Sequence, residues 1–487
     1  MFVRLVFFDY QSPDYQTFLG PWAAFIDQHG GFGALQYSFS NYNALYLYLM
    51  AAVSYLPLSP LVAVKLISAI FEVILGWYVY RLLRLRYPTG WVPPTGAVVV
   101  LLPTVVLNGA MWGQADATYA AMAAGGLYHL LLRRHWRACV FFGLALAFKL
   151  QIVFLFPALL LFALRRWLPW RALLAIPAVY LLLDVPAVLL GADPGRLLSI
   201  YLDQTNQYPV LSMNAPTVYT YLLQDTGDTI RKAGVLLTGL ILLGPIIFAA
   251  LHRIQLTPAR ILLISSLSVL LTPFLLPSMH DRYFYLADVL TVVVAFWLPG
   301  RLRLLPVPLL VQFASLSVYL NYLLLPYRVA ERTGSPIPPL FRPGSDSAHY
   351  LMWIPAVDLR ILSTAVVAGI ALTAYAMIRE FQQAADPVGR HLLSRDRRLR
   401  GHRLSLVHTS RSARAASPSR PAASRVSASS SNSGPQRQAT AVSWSGNPGS
   451  LSEPASARTC WAIRASVTPC LSANWNASTA SADLPLL

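Results

Sequence analysis

Two carboxylates stand where this otherwise apolar chain begins. The stretch "FFDYQSPDYQTFLGPW", residues 7–22, sets Asp9 and Asp14 among six aromatic residues. A carboxylate at the edge of apolar sequence can take a proton from a hydroxyl, hold a cation, or merely wet a loop. Three further stretches carry groups of comparable reach. "MWGQADATYAAM" (111–122) holds Gln114 and Asp116, "LAFKLQIVF" (146–154) holds Lys149 and Gln151, and "PSMHDRYFYLAD" (277–288) holds His280, Asp281, Arg282 and Tyr283. A lysine walled by apolar residues either snorkels to the interface or binds an anion, and both readings stand for Lys149. Tyrosines of an aromatic belt account for Tyr283 and Tyr285, but not for His280 or Arg282 beside them. The loop 191–232 adds Tyr201, Asp203, Gln204, Asn206, Tyr208 and Asn214. Such side chains suit carbohydrate hydroxyls and equally any wet loop.

The elements that must position these groups are membrane spans. Of 487 residues, 56% are hydrophobic and only 12% charged. Soluble domains carry roughly 25% charged residues, so the solvent this chain calls for is lipid. Apolar runs approaching the ~20 residues that cross a ~30 Å hydrocarbon layer fall at 61–83, 95–110, 116–132, 171–190, 234–251, 260–277, 284–298, 304–325 and 353–378. The run 138–164 is broken by Lys149 and Gln151 and reads as a tight helical hairpin. Residues 44–58, rich in Tyr and ending near Pro57, read as an interfacial helix. The expected fold is all-α and polytopic, a bundle of about eleven transmembrane helices with outer-face loops and interfacial helices.

Arginine orients this bundle. Arg81, Arg84 and Arg86, Arg133, Arg134 and Arg137, Arg165, Arg166 and Arg171, Arg253 and Arg260, Arg301 and Arg303, and Arg379 all fall on one side of the predicted crossings, the cytoplasmic one by the positive-inside rule. The opposite side collects Asp9, Asp14, Asp116, Asp193, Asp203, Asp225, Asp228 and Asp281. The net charge of +18 then belongs to cytoplasmic loops and a basic tail, and nucleic acid is not an expected partner. A membrane domain is expected over 1–380 and a disordered Ser/Ala/Arg-rich cytoplasmic tail over 381–487, because the tail has too little apolar surface to offset chain entropy. The sequon at Asn476 is then on the wrong side and reads as chance. "MFVRLVFF" lacks the features of a cleavable signal. Cys139, Cys460 and Cys470 form neither a disulfide framework nor a zinc site, and no P-loop, HExxH or GxSxG motif occurs.

As a set, "DYQTFLGPWAAFI", "GGFGALQYSFSNYNALYLYL", "WGQADATYA", "LALAFKLQIVFLFP" and "HDRYFYLADVL" resemble, in order, motifs of bacterial integral-membrane mannosyltransferases related to the eukaryotic GPI mannosyltransferase II, of the GT-C class. The resemblance runs from about residue 5 to 380. The family often shows Asn-Pro-Pro-Tyr where this chain has Asn43-Ala44-Leu45-Tyr46, and Lys-Pro-Gln where it has Lys149-Leu150-Gln151; it also has a complete first transmembrane helix ahead of the first outer loop. The resemblance implies a GT-C-like bundle in a bacterial inner membrane, with an outward-facing site. It implies inverting transfer of a hexose, mannose in the family, from a polyprenyl-phosphate donor to a glycan or glycolipid acceptor. The general base it implies falls on Asp14, with Asp9 in reserve.

Chemistry assigns the remaining roles as expectations. Lys149, Arg282 and His280 would stabilise the departing phosphate. Asp116, Gln114, Asp281, Gln151 and Tyr283 would orient acceptor or sugar. No cofactor is required, since the phosphate–sugar bond is already activated, and no metal ligand set is expected, although carboxylates can take a divalent ion. The rival class is a transporter or flippase for a lipid-linked sugar, which would hold the same phosphate near the membrane midplane.

Overall fold

The computed structural model describes residues 2–89, 94–206, 210–222, 227–252, 255–298, 304–333 and 356–385. Of the disordered tail expected at 381–487, residues 386–487 lie outside the described residues, as do Tyr208, Asp225, Arg253, Arg301 and Arg303, while 381–385 are helical and continue the last apolar helix. All described residues belong to one compact unit that ends at Arg390.

Several helix starts follow from a capping oxygen set before a proline. Ser59 accepts the N–H of Val62 ahead of Pro60, and Thr257 accepts that of Arg260 ahead of Pro258. In chain order the helices are α1 (Phe2–Leu5), α2 (Gly20–Gln28), α3 (Ala44–Ser54), α4 (Pro60–Arg86), α5 (Thr95–Val100), α6 (Pro103–Val106), α7 (Asp116–Leu131), α8 (His135–Phe148) and α9 (Phe156–Leu164). After these come α10 (Trp170–Leu173), α11 (Ala175–Leu189), α12 (Pro194–Asn206), α13 (Gly227–Leu251), α14 (Pro258–Leu275), α15 (Tyr285–Trp297), α16 (Pro306–Thr333) and α17 (Leu359–Ala385). Strands β1 (Ser212–Met213) and β2 (Met279–His280) pair in parallel, a small departure from the all-α expectation.

Among the described residues, five helices are long and apolar enough to cross a membrane: Pro60–Arg86, Trp170–Leu189, Asp228–Ala249, Pro258–Leu275 and Leu359–Gln382. The about eleven expected crossings are not all continuous helices. The run 95–110 is α5, then α6, then a π-helical turn at Leu107–Met111, with Pro103 at the break. The run 138–164 is α8, a 3₁₀ stretch at Leu150–Leu155 and α9, and Lys149 stands extended at the break. Proline and polar residues end helices that hydropathy alone would run together. The long helices keep apolar faces outward: Leu182 and Leu189 on α11 are 68% and 81% exposed, and Leu236 and Leu251 on α13 are 69% and 73% exposed. Faces of that size suit lipid. Helix α3 is too short to span, as expected, yet Tyr46 is wholly buried among its neighbours.

The interior is built on α4, α7, α8 and α15, and α7 is buried along almost its whole length. Its Ala- and Gly-rich face lets neighbours approach closely, with Gly125 against the ring of Phe141. The same device joins α4 to α5, where Gly76 and Gly96 meet backbone to backbone. The bundle has two distinct ends. At one, Arg86 donates to the carbonyl of Trp297, Arg81 to the Tyr128 hydroxyl, Arg133 to the carbonyl of Trp167 and Arg260 to that of Glu380. At the other meet the start of α7, the break at Lys149 and the loop before α15. Arg81, Arg86 and Arg133 thus meet the C-terminal ends of α7 and α15 or the turn after α9, whereas Asp116 stands at the start of α7 and Asp281 just before that of α15.

A Cβ on Gly96 would lie 2.5 Å from the carbonyl oxygen of Gly76, an atom of backbone that cannot turn aside. Gly96→Ala should cost about 1–3 kcal/mol of stability, as overpacking does, read from thermal unfolding in detergent. An unchanged midpoint would show that the α4–α5 crossing is looser than described.

Candidate functional site

The first step is how an N-terminal segment is brought to the bundle. Lys65, Ser68 and Glu72 recur at helical spacing on one face of α4 and are all buried. Glu72 pairs with Arg4, whose guanidinium also donates to the carbonyl of Val100 at 2.7 Å. The Lys65 ammonium takes three carbonyls of the incoming chain, those of Phe7 at 2.5 Å, Phe8 at 3.1 Å and Tyr10 at 2.7 Å. Ser12 then donates to the carbonyl of Trp112 at 2.6 Å. Asp14 follows directly, at the entrance to a π-helical turn over Tyr15–Leu19. A second π-helical turn, Leu107–Met111, leads into the stretch that carries Gln114 and Asp116. Such turns redirect side chains and are frequent at functional sites.

Asp14, Gln114, Asp116, Lys149, Asp281 and Arg282 come together from four separate parts of the chain. Arg282 Nη1 lies 2.8 Å from Asp14 Oδ2 and 3.3 Å from Asp281 Oδ1, and its Nε lies 3.9 Å from Asp116 Oδ2. Lys149 Nζ lies 2.5 Å from Asp116 Oδ1. Gln114 Nε2 donates to Asp14 Oδ2 at 2.6 Å, while its Oε1 accepts from the Tyr42 hydroxyl at 3.1 Å. Asn108 donates to Asp116 Oδ2 and to the Tyr319 hydroxyl, each at 2.8 Å. The Lys149–Asp116 pair is deeply buried, with side chains 7% and 1% exposed; Asp14 is the more open, at 21%. One edge of this cluster remains unengaged, that of Asp14. Both contacts on Asp14 fall on Oδ2, and among the described residues none reaches Oδ1. Arg282 is held through Nη1, while its buried Nε makes no hydrogen bond.

His280 and Tyr283 line the same end. The backbone of His280 is fixed by pairing with Met213 and Asn214, and its ring Nδ1 lies 3.8 Å from Asp281 Oδ1. Burial, then the charges of Arg282 and Lys149, push the imidazole down to about 3. It therefore enters the cluster neutral, and of the three cations expected from sequence only Lys149 and Arg282 carry charge. Tyr283 is hydrogen-bonded to Gln151, and both lie beside the cluster rather than within its ion pairs. Asp9 is exposed and its charge bears on Lys65, away from Arg282.

Sequence reasoning did not reach Tyr42, Asn108 or Tyr319, nor the anchors Arg4, Lys65 and Glu72. A signal for the anchors was present: three polar residues at positions i, i+3 and i+7 of an apolar span form a single stripe that needs a partner. No comparable signal marks Asn108, which the π-helical turn aims. Among the described residues no His, Cys, Asp and Glu group is arranged to hold a metal ion. Compared with known protein families and with curated proteins, the chain matches none of either.

Two measurements probe the cluster. Lys149→Met leaves a buried carboxylate short of its cation and should cost about 3–5 kcal/mol, and adding Asp116→Asn should recover more than half. Denaturant titration of the single and double variants in detergent reads both; a single-variant cost under about 1 kcal/mol would mean the pair is screened by water. Burial, partly offset by Arg282, pushes the Asp281 carboxyl up to about 6. The folded protein thus keeps a proton that the unfolded chain releases above about pH 4. That stabilisation is full below pH 4 and lost as pH rises through about 6. Relative to wild type, Asp281→Asn should gain about 3 kcal/mol between pH 4 and 7 and stay level above. A pH-independent difference would contradict the burial of this carboxyl.

Proposed function

We propose that this end of the bundle transfers a sugar from a polyprenyl-phosphate donor to a hydroxyl of a glycan or glycolipid. The motif resemblance to GT-C mannosyltransferases motivates the reading. One observation carries it: a carboxylate with an unengaged oxygen, Asp14 Oδ1, stands beside a guanidinium whose Nε makes no hydrogen bond, with Lys149 in the same cluster. A base and an anion site adjoin, as inverting displacement of a phosphate requires.

The steps follow from the geometry. The donor phosphate is drawn to the guanidinium of Arg282 and the ammonium of Lys149. In a buried site both charges act at reduced dielectric, so they stabilise the negative charge that grows on the leaving phosphate. The acceptor oxygen attacks the anomeric carbon from the face opposite the phosphate. Its proton passes to Asp14 Oδ1 as the carbon–phosphate-oxygen bond breaks, and polyprenyl phosphate departs. Gln114 and Arg282 hold Oδ2 throughout, which fixes the carboxylate plane. Asp116 keeps Lys149 in place, and Asp281 does the same for Arg282. His280, being neutral, contributes a hydrogen bond and no charge. The membrane localisation follows the apolar helices; an outward-facing site follows the positive-inside reading of the arginine end.

A carrier moving the whole lipid-linked sugar would place its binding groups near the midplane on repeated broken helices. Here the charged groups gather at one end, which favours transfer. In reconstituted membranes supplied with polyprenyl-phosphate mannose, Asp14→Asn should lower transfer by about 100-fold or more, and Asp9→Asn should leave it within about threefold of wild type. Full transfer by folded Asp14→Asn would remove it as the base. Transbilayer movement without transfer by the unaltered protein would select the carrier.

A further inference from the structure

At the end of α7 far from Asp116, roughly 22 Å along the helix, two turns lie side by side. One, 132–134, joins α7 to α8; the other, 165–169, joins α9 to α10. Arg133 ties them together. Its guanidinium stands 3.3 Å from the centroid of the Trp167 ring and donates to the Trp167 carbonyl at 3.1 Å. Helix α10 also packs against α8. Four more arginines flank the joint, Arg134 and Arg137 from the first side and Arg166 and Arg171 from the second, and all four are exposed. Among the described residues none of the four has an ion pair or a side-chain hydrogen bond. The sequence from 117 to 183 contains no Asp or Glu that could supply one.

We infer that this surface binds the headgroup of an anionic phospholipid. Unneutralised charge is the first observation, and its placement is the second. Arg134 and Arg137 stand at the cap and in the first turn of α8, the positive end of its dipole, where acids are favoured and this helix has none. Arg133 and Arg166 hold φ of 60° and 55°, a conformation that glycine takes without steric cost. Arginine at both positions is thus kept against the preference of the backbone, which gives its side chain a use. The third observation selects lipid as the occupant: the basic surface runs into apolar surface. Trp136 and Trp170 are 60% and 53% exposed beside the arginines, and Leu164 and Leu174, on either side of the second turn and α10, are exposed as well. Tryptophan sits at headgroup depth and exposed leucine meets acyl chains, while guanidinium forks match phosphate oxygens. A soluble anion would leave the leucines uncovered. The surface lies apart from the Asp14 cluster, and the inference does not depend on the transfer reading.

Native mass spectrometry of the full chain in detergent, titrated with phosphatidylglycerol or phosphatidylcholine, tests the assignment. Wild type should hold phosphatidylglycerol about tenfold or more tightly than phosphatidylcholine. Arg137→Gln and Arg166→Gly should each weaken phosphatidylglycerol by about fivefold, and the double variant by about thirtyfold, with phosphatidylcholine unchanged. Arg166→Gly separates binding from folding, because glycine accepts this backbone; its unfolding midpoint should be no lower than that of wild type. Lys232→Gln removes the same unit of charge from a side chain 73% exposed on α13, and should leave phosphatidylglycerol binding within about twofold. Equal losses from Lys232→Gln and the arginine variants would reduce the attraction to diffuse charge and overturn the inference. Equal retention of the two lipids by wild type, or unaltered binding by the folded double variant, also overturns it. Displacement of the bound lipid by excess glycerol 1-phosphate would make a free phosphate ester the ligand and overturn the lipid assignment.

Discussion

A guanidinium shut away from water must be met by carboxylates, and Arg282 is met by Asp14, Asp116 and Asp281. These acids come from the N-terminal segment, the start of α7 and the loop before α15. No two of the three neighbouring segments could settle elsewhere without leaving charge buried and unpaired. The ion pairs thus do for the end of the bundle what interdigitated side chains do for its middle. They also set the local chemistry, because every group drawn to Arg282 is fixed in orientation by it. Lys149 repeats the arrangement on a smaller scale at the break between α8 and α9, where the extended backbone frees it from helical constraint and Asp116 receives it.

The N-terminal segment shows how much of this depends on buried polar contacts remote from the cluster. It has little helix of its own, and it reaches the bundle through Lys65, Glu72 and Ser12. Those contacts are made inside an apolar span, where an unmatched lysine or glutamate would be costly. Their cost as isolated residues and their use as anchors are the same fact. Asp14, the most exposed of the clustered carboxylates, stands at the end of this tether, with Oδ2 held and Oδ1 open.

What the sequence made legible was the chemistry of short motifs. Asp14, Gln114, Asp116, Lys149, Asp281 and Arg282 could be singled out because each is polar in an apolar setting, and they meet in space. Hydropathy was a poorer guide to continuity. The runs 95–110 and 138–164 are apolar enough to pass for spans, but Pro103 and Lys149 divide them, and local backbone breaks outweigh mean composition. The charge of His280 was also out of reach, because it depends on burial and on the two cations that folding brings to it. Tyr42, Asn108 and Tyr319 are ordinary residues in sequence; only the convergence of α6–α7, α3 and α16 gives them partners.

The transfer reading turns on Asp14, Arg282 and Lys149 belonging to one cluster joined through Asp116. Its most direct test is a cryo-EM map of the protein with a non-transferable polyprenyl-phosphonate sugar. The account predicts the phosphonate within hydrogen-bond reach of Arg282 and Lys149, with the anomeric carbon turned toward Asp14. A headgroup bound away from both cations, with Arg282 and Asp14 facing no ligand, would contradict it.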